Sequence, residues 1–393
     1  MGDFVLFILM LPHKSPTPLE VKVALLYDGL QIPPPILTQL QAGGHIWNWG
    51  RKGGAGPAGG RYFKLVTPSS SQPVIINISL QSQRSQHAPL LVQKIEGVNW
   101  TIACQTETYC TLELLPVPRF HQQYIDGRPA AQYVLLHATD CLATTVNQRC
   151  IYWRGGQACQ FCGIELSLDA GHTVEVKDSK HILQVLELAL AEVPVTHLTL
   201  TIGTQADESR GIREYIPIVQ NLKSAYPDLR IHTQFEPPAR AEFIHQLRAA
   251  GCDSVGIHVE ILDDAKRNEY CPGKGHLGWK DYIRAWRTAV EVYGVNQVDS
   301  FILIGLEPLS EEFFARIREM CTAGVVPYPV PVREIPGTAF VVPEVNLDQL
   351  VSAHRHIAKL MKEAGIEPGI TTAGCVRCSA CSAIGEAIIE LES

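Results

Sequence analysis

The chain carries no apolar run long enough to cross a bilayer, no basic tail or stripe, and no G-K-[ST] phosphate loop. Its apolar start, Phe4 to Leu11, falls well short of the roughly 20 residues a spanning helix needs. Asp3 alone among charged side chains precedes it, and no small-residue cleavage site follows. It therefore reads as a buried first strand, or as residues added by an upstream start codon, and not as a secretory leader. Lys and Arg number 33 against 40 Asp and Glu, a net charge of −7, which argues against nucleic acid as a partner. A cytoplasmic protein with no membrane segment is the expectation. Hydrophobic content of 46% with 19% charged residues suits a globular enzyme, and 393 residues leave room for two or three structural units.

Up to about residue 130, short β-prone runs (21–27, 61–66, 74–79 and 109–115) alternate with Gly, Pro, Ser and Gln clusters, with one short helix at 36–41. Residues 1–130 read as a mostly-β accessory domain. Residues 54–59 spell G-x-G-x-x-G, but Pro57 interrupts them and a β-prone run follows. A dinucleotide loop needs a helix there, so the stretch reads as a glycine turn. From 131 to 345 strands and helices alternate, with strands at 134–137, 198–202, 231–235, 254–259, 300–304 and 325–332. Helices are expected at 179–193, 211–226, 240–251, 279–293 and 310–323. Short, almost wholly apolar strands are those of a parallel sheet covered on both faces. Such a series predicts an α/β fold, a full or partial (β/α) barrel, with functional side chains at the C-terminal ends of its strands. Residues 346–393 add a helix at 348–364 and a short cysteine-rich segment.

Cysteine is what the chain has in plenty: twelve, four of them between Cys141 and Cys162. Cys150, Cys159 and Cys162 form C-x8-C-x2-C with Phe161 before the last, and Cys375, Cys378 and Cys381 form C-x2-C-x2-C. Tight groups in a large chain favour metal ligation over disulfides. Soft thiolates take zinc or an iron–sulfur cluster. Structural zinc wants four ligands at paired spacing. Three thiolates without a clear local fourth suit a four-iron cluster with one open position. Cys141 is the fourth ligand a zinc reading would use, and a zinc knot is the alternative for the terminal group. Cys104, Cys110, Cys252 and Cys321 read as buried or incidental thiols.

On these residues the chain resembles the radical SAM superfamily, in which three cysteines hold a [4Fe-4S] cluster and S-adenosyl-L-methionine (SAM) chelates the unique iron. Phe161 matches the aromatic residue before the third cysteine, whereas residues 151–158 replace the three residues of the common C-x3-C-x2-C. T-L-T-I-G-T at 199–204, H-T-Q-F-E at 232–236, and G-I-H-V-E at 256–260 with C-P-G-K at 271–274 follow in the superfamily's order. The last two runs resemble biotin and lipoyl synthases. The set is similar to one biotin synthase-like subfamily, the radical SAM proteins of the nitrilase gene cluster, through residues 53–57, 140–142, 148–150, 234–238 and 374–378.

The resemblance implies a radical SAM barrel acting on a small molecule, with Cys150, Cys159 and Cys162 as the catalytic cluster ligands. It implies Phe161 beside the adenine, and Thr201, Gly203 and Thr204 at the methionyl end. Gln234, Glu236, His258 and Glu260 would hold ribose or substrate. An auxiliary iron–sulfur cluster would lie on Cys375, Cys378 and Cys381, its fourth ligand being Cys141, Cys271 or the substrate, with Cys141 preferred. A flavodoxin or ferredoxin-type donor would supply one electron. Biotin/lipoyl synthase-like sulfur insertion from the auxiliary cluster, and a non-catalytic metal-stabilised barrel, are the alternatives. For single residues the plainer readings are a satisfied barrel histidine for His258 and strand ends for Thr201 and Thr204. Lys274 and Arg333 either bind a substrate carboxylate or pair with acids.

Overall fold

The computed structural model describes residues 16–42, 55–56, 60–66, 73–80, 82–335, 337–338 and 340–393. The apolar start at 4–11 lies outside these residues, as does most of the glycine run at 54–59.

Seven strands form one sheet in the order Val326–Pro331, Val298–Ile304, Ser254–Ile257, Arg230–Phe235, His197–Thr201, Cys141–Thr145, Leu135–His137. The six from Cys141–Thr145 onward pair in parallel in chain order. Among the described residues the two edge strands do not pair, so the barrel is partial: a curled half-barrel. Helices Ser179–Leu190, Ile212–Ala225, Glu242–Ala249, Trp279–Tyr293 and Glu311–Thr322 make the return crossings. Each lays an apolar stripe on the sheet, as Ile182, Val185, Leu186 and Ala189 do. Fully burying one such large aliphatic side chain contributes about 1.5–3 kcal/mol.

The expected strand at 134–137 is not the first parallel strand. Leu135–His137 pairs antiparallel with Cys141–Thr145. Only Ala138 to Asp140 separate the two, too few residues for a crossover, and Ala138 turns through a left-handed φ of 51°. The first parallel strand is Cys141–Thr145, which sequence reading treated as part of a ligand region.

A second correction concerns residues 21–27. They lie in the helix Pro18–Tyr27, opened by a capping box between Thr17 and Glu20 with Pro18 in the first turn. Eight of its ten residues are buried, against the strand Val74–Ser79 and the helices Leu347–Glu363 and Ile384–Glu392. A helix covered on all sides shows no apolar stripe, so its β-branched and leucine run mimics a strand.

The N-terminal five-stranded sheet runs Val74–Ser79, Gly60–Val66, Glu107–Leu114, Asn99–Cys104, Leu90–Glu96, all antiparallel. The hairpin at Leu90–Cys104 was not anticipated. This sheet meets the C-terminal segment directly, through the Asn77 N–H to Ala380 carbonyl bond of 2.9 Å.

Candidate metal centres and cofactor site

The chain leaves the first parallel strand at Thr145 and turns over the C-terminal ends of the sheet. Asn147 accepts from the Gly203 N–H at 2.9 Å, and Ile151 N–H bonds the Thr204 carbonyl at 3.0 Å. This seats Cys150 against the end of the His197–Thr201 strand. Gly203 is required here, because a Cβ would stand 2.2 Å from the Arg149 carbonyl oxygen. Glu165 braces the loop by accepting from the Cys150 N–H at 3.1 Å and pairing with Arg149 at 2.7 Å.

The eight-residue spacer has a structure of its own. Ile151–Arg154 is a helical turn that follows directly on Cys150, and it drops Tyr152 inward. The Tyr152 hydroxyl donates to Glu236 Oε1 at 2.9 Å, with Thr204 donating to Oε2 at 3.4 Å and Arg210 Nε 3.4 Å from Oε1. The Tyr152 ring lies against Gly273, where a Cβ would come within 2.3 Å of it. Burial pushes the Glu236 carboxyl up, against the pull of Lys274 and Tyr152.

Farther along, Gln160 N–H bonds the Tyr270 carbonyl at 2.9 Å and Gly273 N–H bonds the Gln157 carbonyl at 3.1 Å. The loop is thus zipped to residues 270–273, and Cys159 and Phe161 pack with Cys271 and Phe340. Cys159 hydrogen-bonds Cys271, which with burial pushes its thiol up. Burial pushes Cys150 up, and burial with the Cys159 and Cys150 thiols pushes Cys162 up to about 12. Lys274 donates to Glu260 Oε2 at 2.5 Å. Burial opposes its charge, but Glu260 and Cys159 outweigh burial and raise it. Glu260 itself holds a left-handed φ of 64°.

Deeper in the half-barrel, Thr201 and Thr145 share a 2.7 Å hydrogen bond, and the Ala55 N–H reaches Thr145 at 2.8 Å. His258 Nδ1 accepts from the Phe301 N–H at 3.1 Å and its ring stacks on Phe301, so its Nε2 carries the proton and has no acceptor. Asp299 lies beside it, 1% exposed, with neither carboxylate oxygen hydrogen-bonded. Burial raises its pKa well above the usual range. His232 Nε2 is 3.6 Å from Asp299 Oδ2, and burial pushes His232 down to about 3. Asp299, Tyr152 and Arg210 belong to no motif in the sequence, and His232 enters only as the first residue of the run at 232–236. A lone Asp inside the apolar Val298–Ile304 run was the one available signal.

Gln234 faces the terminal thiols: its Nε2 donates to Cys375 Sγ at 3.5 Å. Cys141, Cys375 and Cys378 interact electrostatically with one another, and Cys381 with Cys375 and Cys378. Cys271, weighed with Cys141 as a ligand for this group, stands beside Cys159 instead. Arg333 bonds Asn77 Oδ1 at 3.0 Å and the Asn77 carbonyl, and Lys274 is held by Glu260.

Two sets of thiols are therefore gathered, one in the loop over the sheet and one under the terminal segment. All twelve cysteines are free. Among the described residues no three Cys, His, Asp or Glu side chains are already drawn onto a common metal position. The donor set of the loop suits a soft-metal cluster: three half-buried thiols, neutral when unliganded, whose deprotonation a bound metal would drive. None of the helices among the described residues is long and apolar enough to cross a membrane.

No family model matches the chain. A curated relative, 5-amino-6-(D-ribitylamino)uracil–L-tyrosine 4-hydroxyphenyl transferase 2 of Methanosarcina barkeri, is 32% identical over 112 residues, covering 25% of this chain and 28% of its own. Among solved structures, methylornithine synthase is similar at a TM-score of 0.45 and 16% identity, over 58% of this chain and 64% of its own. A radical SAM methyltransferase from Sphaerobacter thermophilus is similar at 0.43 and 12%, over 75% and 80%. The chain thus spans under a third of the curated relative and under two thirds of methylornithine synthase.

Proposed function

We propose that the chain is a radical SAM enzyme acting on a small molecule. The observation that carries this reading is the Cys150, Cys159 and Cys162 loop over the C-terminal ends of a parallel half-barrel. Cys150, Cys159 and Cys162 would hold a [4Fe-4S] cluster, leaving one iron for SAM. When bound, this pair supplies one-electron cleavage of the sulfonium C–S bond, giving methionine and a 5′-deoxyadenosyl radical that takes hydrogen from an unactivated C–H bond.

The chain's own residues do the positioning. Phe161, in the apolar cluster with Phe340, would flank the adenine. Gly203 and Thr204, beside Cys150, would receive the methionyl end, with Thr201 below them. Glu236, steadied by Tyr152 and Arg210, would take the ribose hydroxyls, and the Glu260–Lys274 pair would face the substrate. Gln234, which bonds Cys375, and His258 would meet ribose or substrate from deeper in the half-barrel. The terminal cysteines would hold a second iron–sulfur centre that assists, and a flavodoxin or ferredoxin-type protein would deliver the electron in a reducing, cytoplasmic compartment. The biotin synthase-like character rests on the runs at 256–260 and 271–274. The 1–130 sheet unit, 131–345 half-barrel and 346–393 segment would work as accessory, catalytic and cluster-bearing parts.

Anaerobic reconstitution with iron and sulfide tests the reading. The protein should cleave SAM to 5′-deoxyadenosine with dithionite, and replacing any of the three loop cysteines by Ala should abolish this. A protein that takes up zinc alone, or never yields 5′-deoxyadenosine, is not a radical SAM enzyme.

A further inference from the structure

The terminal thiols do not stand alone. Cys141 opens the first parallel strand and is 1% exposed, its Sγ 3.6 Å from Thr199 Oγ1. Arg377, between Cys375 and Cys378, reaches that same strand end: its Nε donates to His197 Nδ1 at 3.1 Å, and His197 is the register partner of Cys141. Tyr62, from the five-stranded sheet, packs with Cys378 on the same small apolar cluster of Ile75, Ala138 and Ala380. Three structural units therefore converge on these four thiols.

The surroundings suit an anion of more than one charge. Lys22, wholly buried, donates to the Ser379 carbonyl at 3.0 Å, next to Cys378. Arg333 is linked through Asn77 to Cys381, Asn77 Nδ2 lying 3.9 Å from its Sγ. Arg377 attends Cys141. Two buried donors beside the group also lack acceptors. His197 accepts at Nδ1, so its proton is on Nε2, which is unpartnered, and the Tyr328 hydroxyl next to the terminal thiols is unpartnered too. Buried donors are normally hydrogen-bonded, and cluster sulfurs are acceptors for such groups.

We propose that Cys141, Cys375, Cys378 and Cys381 are the four protein ligands of a closed [4Fe-4S] centre, with no iron left open to substrate. The C-x2-C-x2-C run wraps three irons of one cubane and takes its fourth thiolate from elsewhere in the fold, whereas structural zinc draws paired cysteines. Four thiolates leave such a cluster with a negative net charge, which Arg333 and Arg377 help to offset, while Lys22 is already paired with Glu386 and supplies a donor to the adjoining Ser379 carbonyl. A centre with every iron occupied passes electrons and does not bind substrate. This deepens the reading above, which leaves the fourth ligand unassigned.

The test uses the full chain with Cys150, Cys159 and Cys162 all replaced by Ala, so its outcome is independent of SAM cleavage and of the radical reading. After anaerobic reconstitution this protein should hold about four irons and four sulfides and give a cubane EPR signal when reduced by dithionite. Adding Cys141→Ala should remove that signal or convert the centre to a three-iron cluster visible in the oxidised sample. Adding Cys141→Ser, with an oxygen ligand of similar size, should keep a cubane with a shifted spectrum, and covers the case in which Ala misfolds. Cyanide, a probe for open iron, should leave the spectrum unchanged while Cys141 is present. The assignment is overturned if Cys141→Ala leaves iron count and spectrum unaltered, if cyanide shifts the spectrum with Cys141 in place, or if the site takes zinc only.

Discussion

The Tyr152 hydroxyl donates a 2.9 Å hydrogen bond to Glu236 Oε1. It ties the spacer between the first two loop cysteines to the end of the strand Arg230–Phe235. The departure from C-x3-C-x2-C spacing thereby has a structural use: the extra residues make a helical turn that delivers a phenol to a buried carboxylate. Tyr152→Phe keeps the ring against Gly273 and removes only the donor. A hydrogen bond to a buried charged group contributes about 1.5–3 kcal/mol. SAM affinity should fall roughly tenfold, since 1.4 kcal/mol is a factor of ten, with the iron content of the loop retained. Equilibrium binding of SAM to the reconstituted protein measures this.

Gly203 packs too closely on Arg149 for any side chain. Gly203→Ala must displace the Cys150 loop from the adjacent strand end. Overpacking of this kind costs about 1–3 kcal/mol. We expect a lowered melting temperature together with reduced iron uptake by the Cys150, Cys159 and Cys162 set, read by denaturation and iron analysis. An unchanged iron content at that set would mean that the strand end does not position Cys150.

Lys22 and Glu386 form a 2.9 Å ion pair with side chains 0% and 9% exposed. Lys22→Met strands a buried carboxylate, which costs about 3–5 kcal/mol. The double variant Lys22→Met, Glu386→Leu should recover most of that stability in urea unfolding, because an apolar pair of similar volume avoids the desolvation of both charges. It should not recover iron at the terminal cysteines, because the Lys22 donor to the Ser379 carbonyl beside Cys378 is still missing.

His354, 5% exposed, hydrogen-bonds the Leu350 carbonyl through Nδ1 at 2.8 Å. Burial, aided by Lys22, pushes its pKa down to about 4 from 6.5. Between those values the unfolded chain binds the proton and the folded chain does not. Folding stability contributed by neutral His354 is therefore complete above pH 6.5 and lost as pH falls through the window to 4. The loss totals about 3 kcal/mol at 1.36 kcal/mol per pH unit. His354→Gln should flatten the slope of unfolding free energy against pH by about one proton in that window.

Legibility differed by element for physical reasons. The amphipathic helices from Ser179–Leu190 onward and the apolar strands between them carry their period in the chain, and their placement from sequence agrees with the structure to within a few residues. Pro18–Tyr27 misled because it is buried all round. Cys141–Thr145 was hidden because its five residues hold a cysteine and two threonines whose burial is set by neighbours far along the chain.

By itself, the sequence determined the α/β alternation and the two cysteine groups, because these follow from local period and spacing. Only the tertiary structure decided that Cys141 stands with the terminal thiols and Cys271 with Cys159, and that Tyr152 meets Glu236. Those pairings depend on which strand ends the sheet brings side by side. That is set by parallel register and by packing between segments up to 364 positions apart, as Lys22 and Glu386 are.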